Sequence, residues 1–189
     1  MLLLGGTCAF LFLERRYVMK IFLISGKAGS GKNEVASIIK EQLGSTVITA
    51  FSKYIKLYAL EFTDWDGRDI TKPRAFLQGM GDKLRSIDEN FLLDRLLQDF
   101  KVYKSDFENV IISDVRLPHE IEYIKEKCKE DVYSIRVNSI KNKRNLNESE
   151  KEHHTELDLD NYEKFDFIIE NNFDESLKED VKKVLEEIK

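Results

Sequence analysis

Apolar residues in this chain fall into short unbroken runs separated by longer stretches of helical spacing. Lys20–Ser25 carries Ile21-Phe22-Leu23-Ile24, a run with the length of a strand buried on both faces. Glu34 to Leu43 reads as a helix, and Gly44 is its stop. Thr46-Val47-Ile48-Thr49 is a short β-branched strand. Ser52 is placed to cap a helix through Tyr54, Ile55, Leu57, Tyr58 and Leu60. The Asp-rich stretch Thr63 to Ile70 reads as a loop, and Thr71-Lys72-Pro73 opens a helix with the stripe Phe76, Leu77, Met80 and Leu84. A further helix carries Phe91, Leu92, Leu93, Leu96, Leu97 and Phe100. Asn109-Val110-Ile111-Ile112-Ser113-Asp114 is a buried strand ending in an acid, followed by a helix from Leu117-Pro118 to about Cys128. Asp131 to Val137 is a fourth strand, and a fifth centres on Phe167-Ile168-Ile169. Asp174 caps a last helix that carries Leu177, Val181, Val184, Leu185 and Ile188 on one side. Strands alternating with helices predict an α/β fold of three layers, a central five-stranded parallel sheet covered on both faces.

Composition changes this picture little. Of 189 residues, 42% are hydrophobic and 34% charged, as in a soluble globular protein of one domain. The net charge of -5 argues against a large nucleic-acid footprint. The two cysteines, Cys8 and Cys128, lie far apart and match no metal-ligand spacing, which fits unpaired thiols in a reducing cytoplasm. His153-His154 has no third ligand nearby to complete a metal site.

The chemistry is concentrated at strand ends. Gly26-Lys27-Ala28-Gly29-Ser30-Gly31-Lys32-Asn33 fits the phosphate-binding pattern G-x-x-x-x-G-K-[ST] at every place but the last, where Asn33 replaces a hydroxyl residue. It lies between a strand and a helix, as a phosphate-binding loop (P-loop) must. Glycines let several N–H groups point inward, the helix adds its positive end, and Lys32 reaches the outer phosphates of a nucleotide such as ATP. Asp114, an acid at the end of an apolar strand, is the expected partner of Mg²⁺; the alternative is a cap on Val115 to Leu117. The Asn33 side-chain oxygen can take the metal place normally held by a hydroxyl, or bind a metal water. Arg74, Arg85, Arg116, Arg136 and Arg144 are candidate phosphate ligands, because a guanidinium fork grips two oxygens at once. Arg116 stands out, two residues beyond Asp114. The polar segment from Asn138 to Glu152 follows a strand directly and reads either as a floppy loop or as a lid; Lys141, Lys143 and Arg144 suit a lid that closes over phosphates. These segments converge on the carboxyl edge of the sheet, where ligands of such folds bind.

Several of these segments together resemble the P-loop deoxynucleoside monophosphate kinases of bacteriophages and their bacterial relatives. The resemblance runs from Met19 to the C-terminus. It rests on Ile24-Ser25-Gly26 to Lys32, Phe76 to Arg85, Ile111 to Glu120, His153-His154-Thr155-Glu156 and Phe167 to Asn172. The family often has Asp where Asn33 stands. The resemblance implies transfer of the γ-phosphoryl of ATP, with Mg²⁺, to a (deoxy)nucleoside monophosphate. It implies a helical acceptor-binding part at about residues 50–105 and a lid at about 138–156. It makes Lys32, Asp114 and Arg116 catalytic, Arg74 and Arg85 acceptor-phosphate ligands, and Arg144, His153 and Glu156 lid residues. Alternatives are a kinase of phosphomevalonate or dephospho-coenzyme A, or an ATP-binding regulator that transfers nothing. The expected partners are small nucleotides in the cytoplasm, without nucleic acid; neither the acceptor base nor the oligomeric state is legible.

Residues 1–18 stand apart from this pattern. Met1 to Leu13 is apolar, but the charge of Glu14-Arg15-Arg16 follows it, whereas a secretory signal has its charge first. The run is short for a bilayer span, although a reverse-oriented anchor is an alternative. The preferred reading is translated leader with the start at Met19: Glu-Arg-Arg can be encoded by GAA-AGG-AGG, a ribosome-binding sequence just ahead of that codon. No membrane contact is expected for residues 19–189.

Overall fold

The computed structural model describes residues 18–139 and 158–188. The leader reading, apart from Val18, and the lid residues Arg144, His153 and Glu156 lie outside them. Five strands, β1 (Lys20–Ser25), β2 (Thr46–Thr49), β3 (Asn109–Val115), β4 (Asp131–Asn138) and β5 (Phe167–Glu170), form one parallel sheet in the order β2-β3-β1-β4-β5. The described helices are α1 (Lys32–Leu43), α2 (Lys53–Phe62), α3 (Arg74–Ile87), α4 (Phe91–Asp106), α5 (Pro118–Lys127) and α6 (Ser176–Glu187). None of these is long and apolar enough to cross a membrane.

The unbroken apolar run of β1 is explained by burial on both sides. Phe22 and Ile24 pack with Val35, Ile39, Val181 and Leu185 of α1 and α6. Ile21 and Leu23 point the other way, to Leu93, Leu96, Ile121 and Ile124 of α4 and α5. The expected three-layer α/β arrangement is therefore present. The helices that follow the neighbouring strands β1 and β3, α1 and α5, cover opposite faces. That divergence opens a crevice at the strands' carboxyl ends, the usual ligand position of such sheets. The helices α2 and α3 pack on each other and α3 packs on α4, so they wall one side of the crevice.

Local chemistry follows the sequence at some element ends and departs from it at others. Gly44 has φ 74° and closes α1 through a hydrogen bond from its N–H to Lys40 O. Asp174 accepts hydrogen bonds from the N–H and hydroxyl of Ser176 at the start of α6. Ser52 departs from expectation. Its hydroxyl does not cap α2 and is donated instead to Asp114. Pro73 precedes α3 rather than sitting in its first turn, and its carbonyl accepts the N–H of Leu77.

The last strand is fastened by one carboxylate. Asp166 Oδ2 accepts the N–H of Ser134, the hydroxyl of Ser134 and the ammonium of Lys125, each at 2.7 Å. Burial works against its charge, but Lys125 and Ser134 outweigh this and hold the carboxyl below its ordinary range. A carboxyl depressed in this way stabilises the fold above its unfolded value near 3.8, and the contribution is lost as pH falls through the lower folded value. Asp166→Asn is therefore expected to lower stability at pH 7 by about 1–2 kcal/mol, most of it from hydrogen bonding because the site is partly exposed. The gap between variant and parent in urea melts should narrow below about pH 4. A gap that stays constant from pH 7 to pH 3 would contradict the charged role of Asp166.

Candidate active site

The loop between β1 and α1 is shaped by close backbone approaches. Gly26 has φ 152°, and a Cβ there would collide with Val137 O and the hydroxyl of Ser30. Gly31 has φ 94°, and a Cβ there would strike the side-chain amide of Asn171. Asn171 is buried; its Nδ2 donates to Ser30 O at 3.0 Å and its Oδ1 accepts Phe173 N–H at 2.8 Å. The end of β5 thus clamps the loop from outside, while α1 starts at Lys32 with its N-terminal N–H groups facing the crevice. The Lys32 ammonium curls back to Gly26 O at 2.5 Å and Lys27 O at 2.9 Å.

Asp114 does more than terminate a strand. Between Leu23 and Ser25 of β1 the partner strand β3 advances by one extra residue, from Ile112 to Val115. Such a bulge re-aims side chains. Asp114 Oδ1 accepts Phe51 N–H at 2.8 Å, and Oδ2 accepts Ser52 N–H at 3.0 Å and the Ser52 hydroxyl at 2.5 Å. Burial opposes the charge, but Lys56 and the three donors prevail and the carboxyl is held below its ordinary range. Asp114 is therefore a brace between β3 and the turn that leads into α2.

Two cavities meet at this brace. One, of about 330 Å³, is lined by Ala28, Gly29, Gly31, Lys32 and Asn33 of the loop together with Arg74 and Ser113. The other, of about 110 Å³, lies under α2 and α3 and is lined by Ile55, Leu77, Gln78, Arg85, Leu92 and Glu120 among others. Lys56, Lys72, Asp114 and Arg116 line both. Cations crowd this shared wall. Burial first, then repulsion from Lys56, Arg74 and Arg116, drops the Lys72 ammonium to about 8 despite the opposing pull of Asp114. Glu120, on the floor of the smaller cavity, accepts the N–H groups of Arg116 and Leu117 on Oε2 at 2.7 and 3.1 Å. Burial pushes its carboxyl up to about 7; Asp114 adds to the rise, and the two hydrogen bonds and Arg85 oppose it.

The residues expected from the sequence are distributed as follows. Lys32, Asn33, Asp114 and Arg116 share the larger cavity. Arg74 and Arg85, read as one pair of acceptor ligands, are separated: Arg74 faces the loop cavity, whereas Arg85 lines the smaller one and pairs with Asp82 at 2.7 Å. Lys27 does not line this larger cavity and pairs with Asp160 at 2.7 Å. Arg136 joins the same carboxylate at 3.0 Å, so neither side chain reaches the shared wall. Sequence reading passed over Lys56, Lys72 and the clamping role of Asn171. Lysines carry no pattern of their own. The Asn-Asn after β5 was the one available signal for the clamp.

Comparison with known proteins fits this fold. No family model matches the chain. A UPF0200 protein of Saccharolobus islandicus is 31% identical over 121 residues, which are 64% of this chain and 58% of the relative. The UPF0200 protein of Saccharolobus solfataricus gives the same figures. A tRNA dimethylallyltransferase of Anaplasma marginale is 38% identical over 60 residues, 32% of this chain and 20% of that enzyme. The matched region thus spans 58% of the length of the UPF0200 relatives. Among solved structures, TT1252 from Thermus thermophilus superposes with a TM-score of 0.54 at 16% identity, covering 92% of this chain and all of that one. The fold is shared at that distance, and the chain has a P-loop-like three-layer α/β fold.

Proposed function

We propose that this protein transfers the γ-phosphoryl group of ATP to a small phosphorylated acceptor, of which a (deoxy)nucleoside monophosphate is the favoured class. The observation that carries this reading is the cationic wall shared by the two cavities. A protein that only bound ATP would need the loop cavity alone. A second cavity meeting the first at Lys56, Lys72 and Arg116 suits two anions brought end to end.

In this reading the loop N–H groups and Lys32 hold the β- and γ-phosphates. An acceptor phosphate oxygen attacks the γ-phosphorus; the new P–O bond forms as the bond to the β-phosphate oxygen breaks, and ADP leaves with that electron pair. The attacking oxygen is already anionic, so no strong general base is required. The protein's work is alignment, exclusion of water and neutralisation of charge by Arg116, Lys72 and Lys56. The residues present also fit Mg²⁺, which requires few protein ligands when it rides on a nucleotide. Asp114 Oδ1 accepts one hydrogen bond and keeps acceptor capacity, and Asn33 lines the same cavity. When bound, the ion offsets charge on the β- and γ-phosphates.

The test is incubation with Mg-ATP and a panel of nucleoside and deoxynucleoside monophosphates, with phosphomevalonate and dephospho-coenzyme A included. ADP and one matching nucleoside diphosphate should appear together. ATP binding without product from any acceptor would replace the kinase reading with that of a nucleotide-binding regulator.

A further inference from the structure

We propose that Lys72, presented by the braced loop at residues 63–73, is a phosphate ligand at the junction of the two cavities, and that Asp66 is the residue that positions it. The proposal deepens the phosphotransferase reading, on which its kinetic part rests.

The loop is built to hold one side chain in place. Asp66 accepts the N–H of Arg68 at 3.0 Å and the hydroxyl of Thr71 at 2.5 Å on Oδ1, and pairs with the Arg68 guanidinium through Oδ2. The Trp65 indole N–H donates to Arg68 O at 2.8 Å, and the Thr71 hydroxyl also reaches that carbonyl at 3.2 Å. At the other end, Thr63 is tied to Ala59 O of α2 at 2.6 Å. The residue after Lys72, Pro73, has φ -77° and ψ 73°, and Arg74 N–H donates to Lys72 O at 2.8 Å, which is an inverse γ-turn. Lys72 is thus flanked by Thr71, bonded to Asp66, and by a turn locked by proline. Loops this compact commonly carry function.

The side chain so presented is only 22% exposed and lines both cavities. The charged groups around it are Lys56 from α2, Arg74 from α3, and Asp114 and Arg116 from the end of β3. Asp69 of its own loop stands 3.8 Å from the ammonium. Mutual repulsion among these cations is relieved when a multiply charged anion enters. An ammonium is a compact charge with three donors that can serve phosphates on both sides.

Two variants and their combination test the proposal with the full chain. Lys72→Met removes a cation from a repulsive group and so should fold. It is expected to lower kcat about 10²-fold with the KM for ATP changed less than about threefold. Lys72→Arg should recover most of that loss, because charge is restored. Asp66→Ala should lower kcat about tenfold alone and have no further effect in the Lys72→Met background, because it acts only through Lys72. Additive losses would overturn the positioning role. Wild-type kcat in Lys72→Met would overturn the ligand role. A separate arm needs no turnover: with the loop lysine removed, inorganic phosphate, against chloride at equal ionic strength, should raise the Tm of Lys32→Ala but not of the double variant Lys32→Ala/Lys72→Met. Phosphate stabilisation without transfer to any acceptor would retain the anion site and remove the kinase reading. Transfer with no phosphate stabilisation in Lys32→Ala, or with equal stabilisation in Lys32→Ala/Lys72→Met, would do the reverse.

Discussion

Lys32→Ala is expected to reduce kcat/KM for phosphoryl transfer by about 10²–10³-fold while leaving the melting temperature close to that of the parent. The reason lies in what the ammonium touches. The ammonium donates to two carbonyls of its own loop, Gly26 O and Lys27 O. Neither carbonyl holds one element of the fold to another. The loop is fastened independently by Asn171 and by the close approach of Gly26 to Val137. The Asn171 clamp survives the substitution, so the expected loss falls on charge at the outer phosphates. Steady-state kinetics and ATP titration calorimetry, with circular dichroism melts as the control, check this. Near-parental turnover in a folded variant would refute assignment of the loop as the phosphate donor site.

Asp114→Ala is expected to have the opposite profile, losing stability as well as activity. The carboxylate holds Phe51 N–H, Ser52 N–H and the Ser52 hydroxyl. Truncation strips two backbone donors of their partner at about 1–3 kcal/mol each, giving a loss of about 2–4 kcal/mol after some rehydration. For a chain of this size that corresponds to a Tm drop of about 5–15 °C. Ser52→Ala removes only the hydroxyl bond and should cost about 1 kcal/mol. The comparison separates two roles for Asp114. A residue that served only a metal ion would leave the Tm of the ligand-free protein unchanged on truncation. An unchanged Tm in Asp114→Ala would thus remove the brace described above. A large drop that added Mg²⁺ does not reverse would support it.

Part of this site was legible in advance because some residues report their own environment. Gly26 and Gly31 were readable as a glycine-dependent turn between a strand and a helix, and both take positive φ there. The run Ile21 to Ile24 announced a strand buried on both faces, and both faces are buried. Asp114 was legible as an acid at a strand end. Its hydrogen bonds to Phe51 and Ser52 were not, because those partners lie more than sixty positions away in sequence. The same limit produced the mistaken cap at Ser52. Locally a serine before a helix is a cap, but a carboxylate from β3 competes for its hydroxyl and wins. Arg74 and Arg85 were grouped as acceptor-phosphate ligands by the family resemblance. Eleven positions along α3 place them in different cavities instead.

What the chain determined by itself was the order and type of its elements and the glycine-rich loop between the first strand and helix. These depend on spacing between neighbouring residues, and such spacing survives without knowledge of the fold. What only the tertiary structure decided was which distant groups meet: the extra residue in β3 opposite Leu23–Ser25, the Asn171 clamp, and Lys56 and Lys72 on the wall between two cavities. A lysine on a helix or in a loop is ordinarily a solvated charge. It becomes part of a site only when sheet order and loop bracing bring it beside other cations, where the repulsion is relieved by an incoming anion.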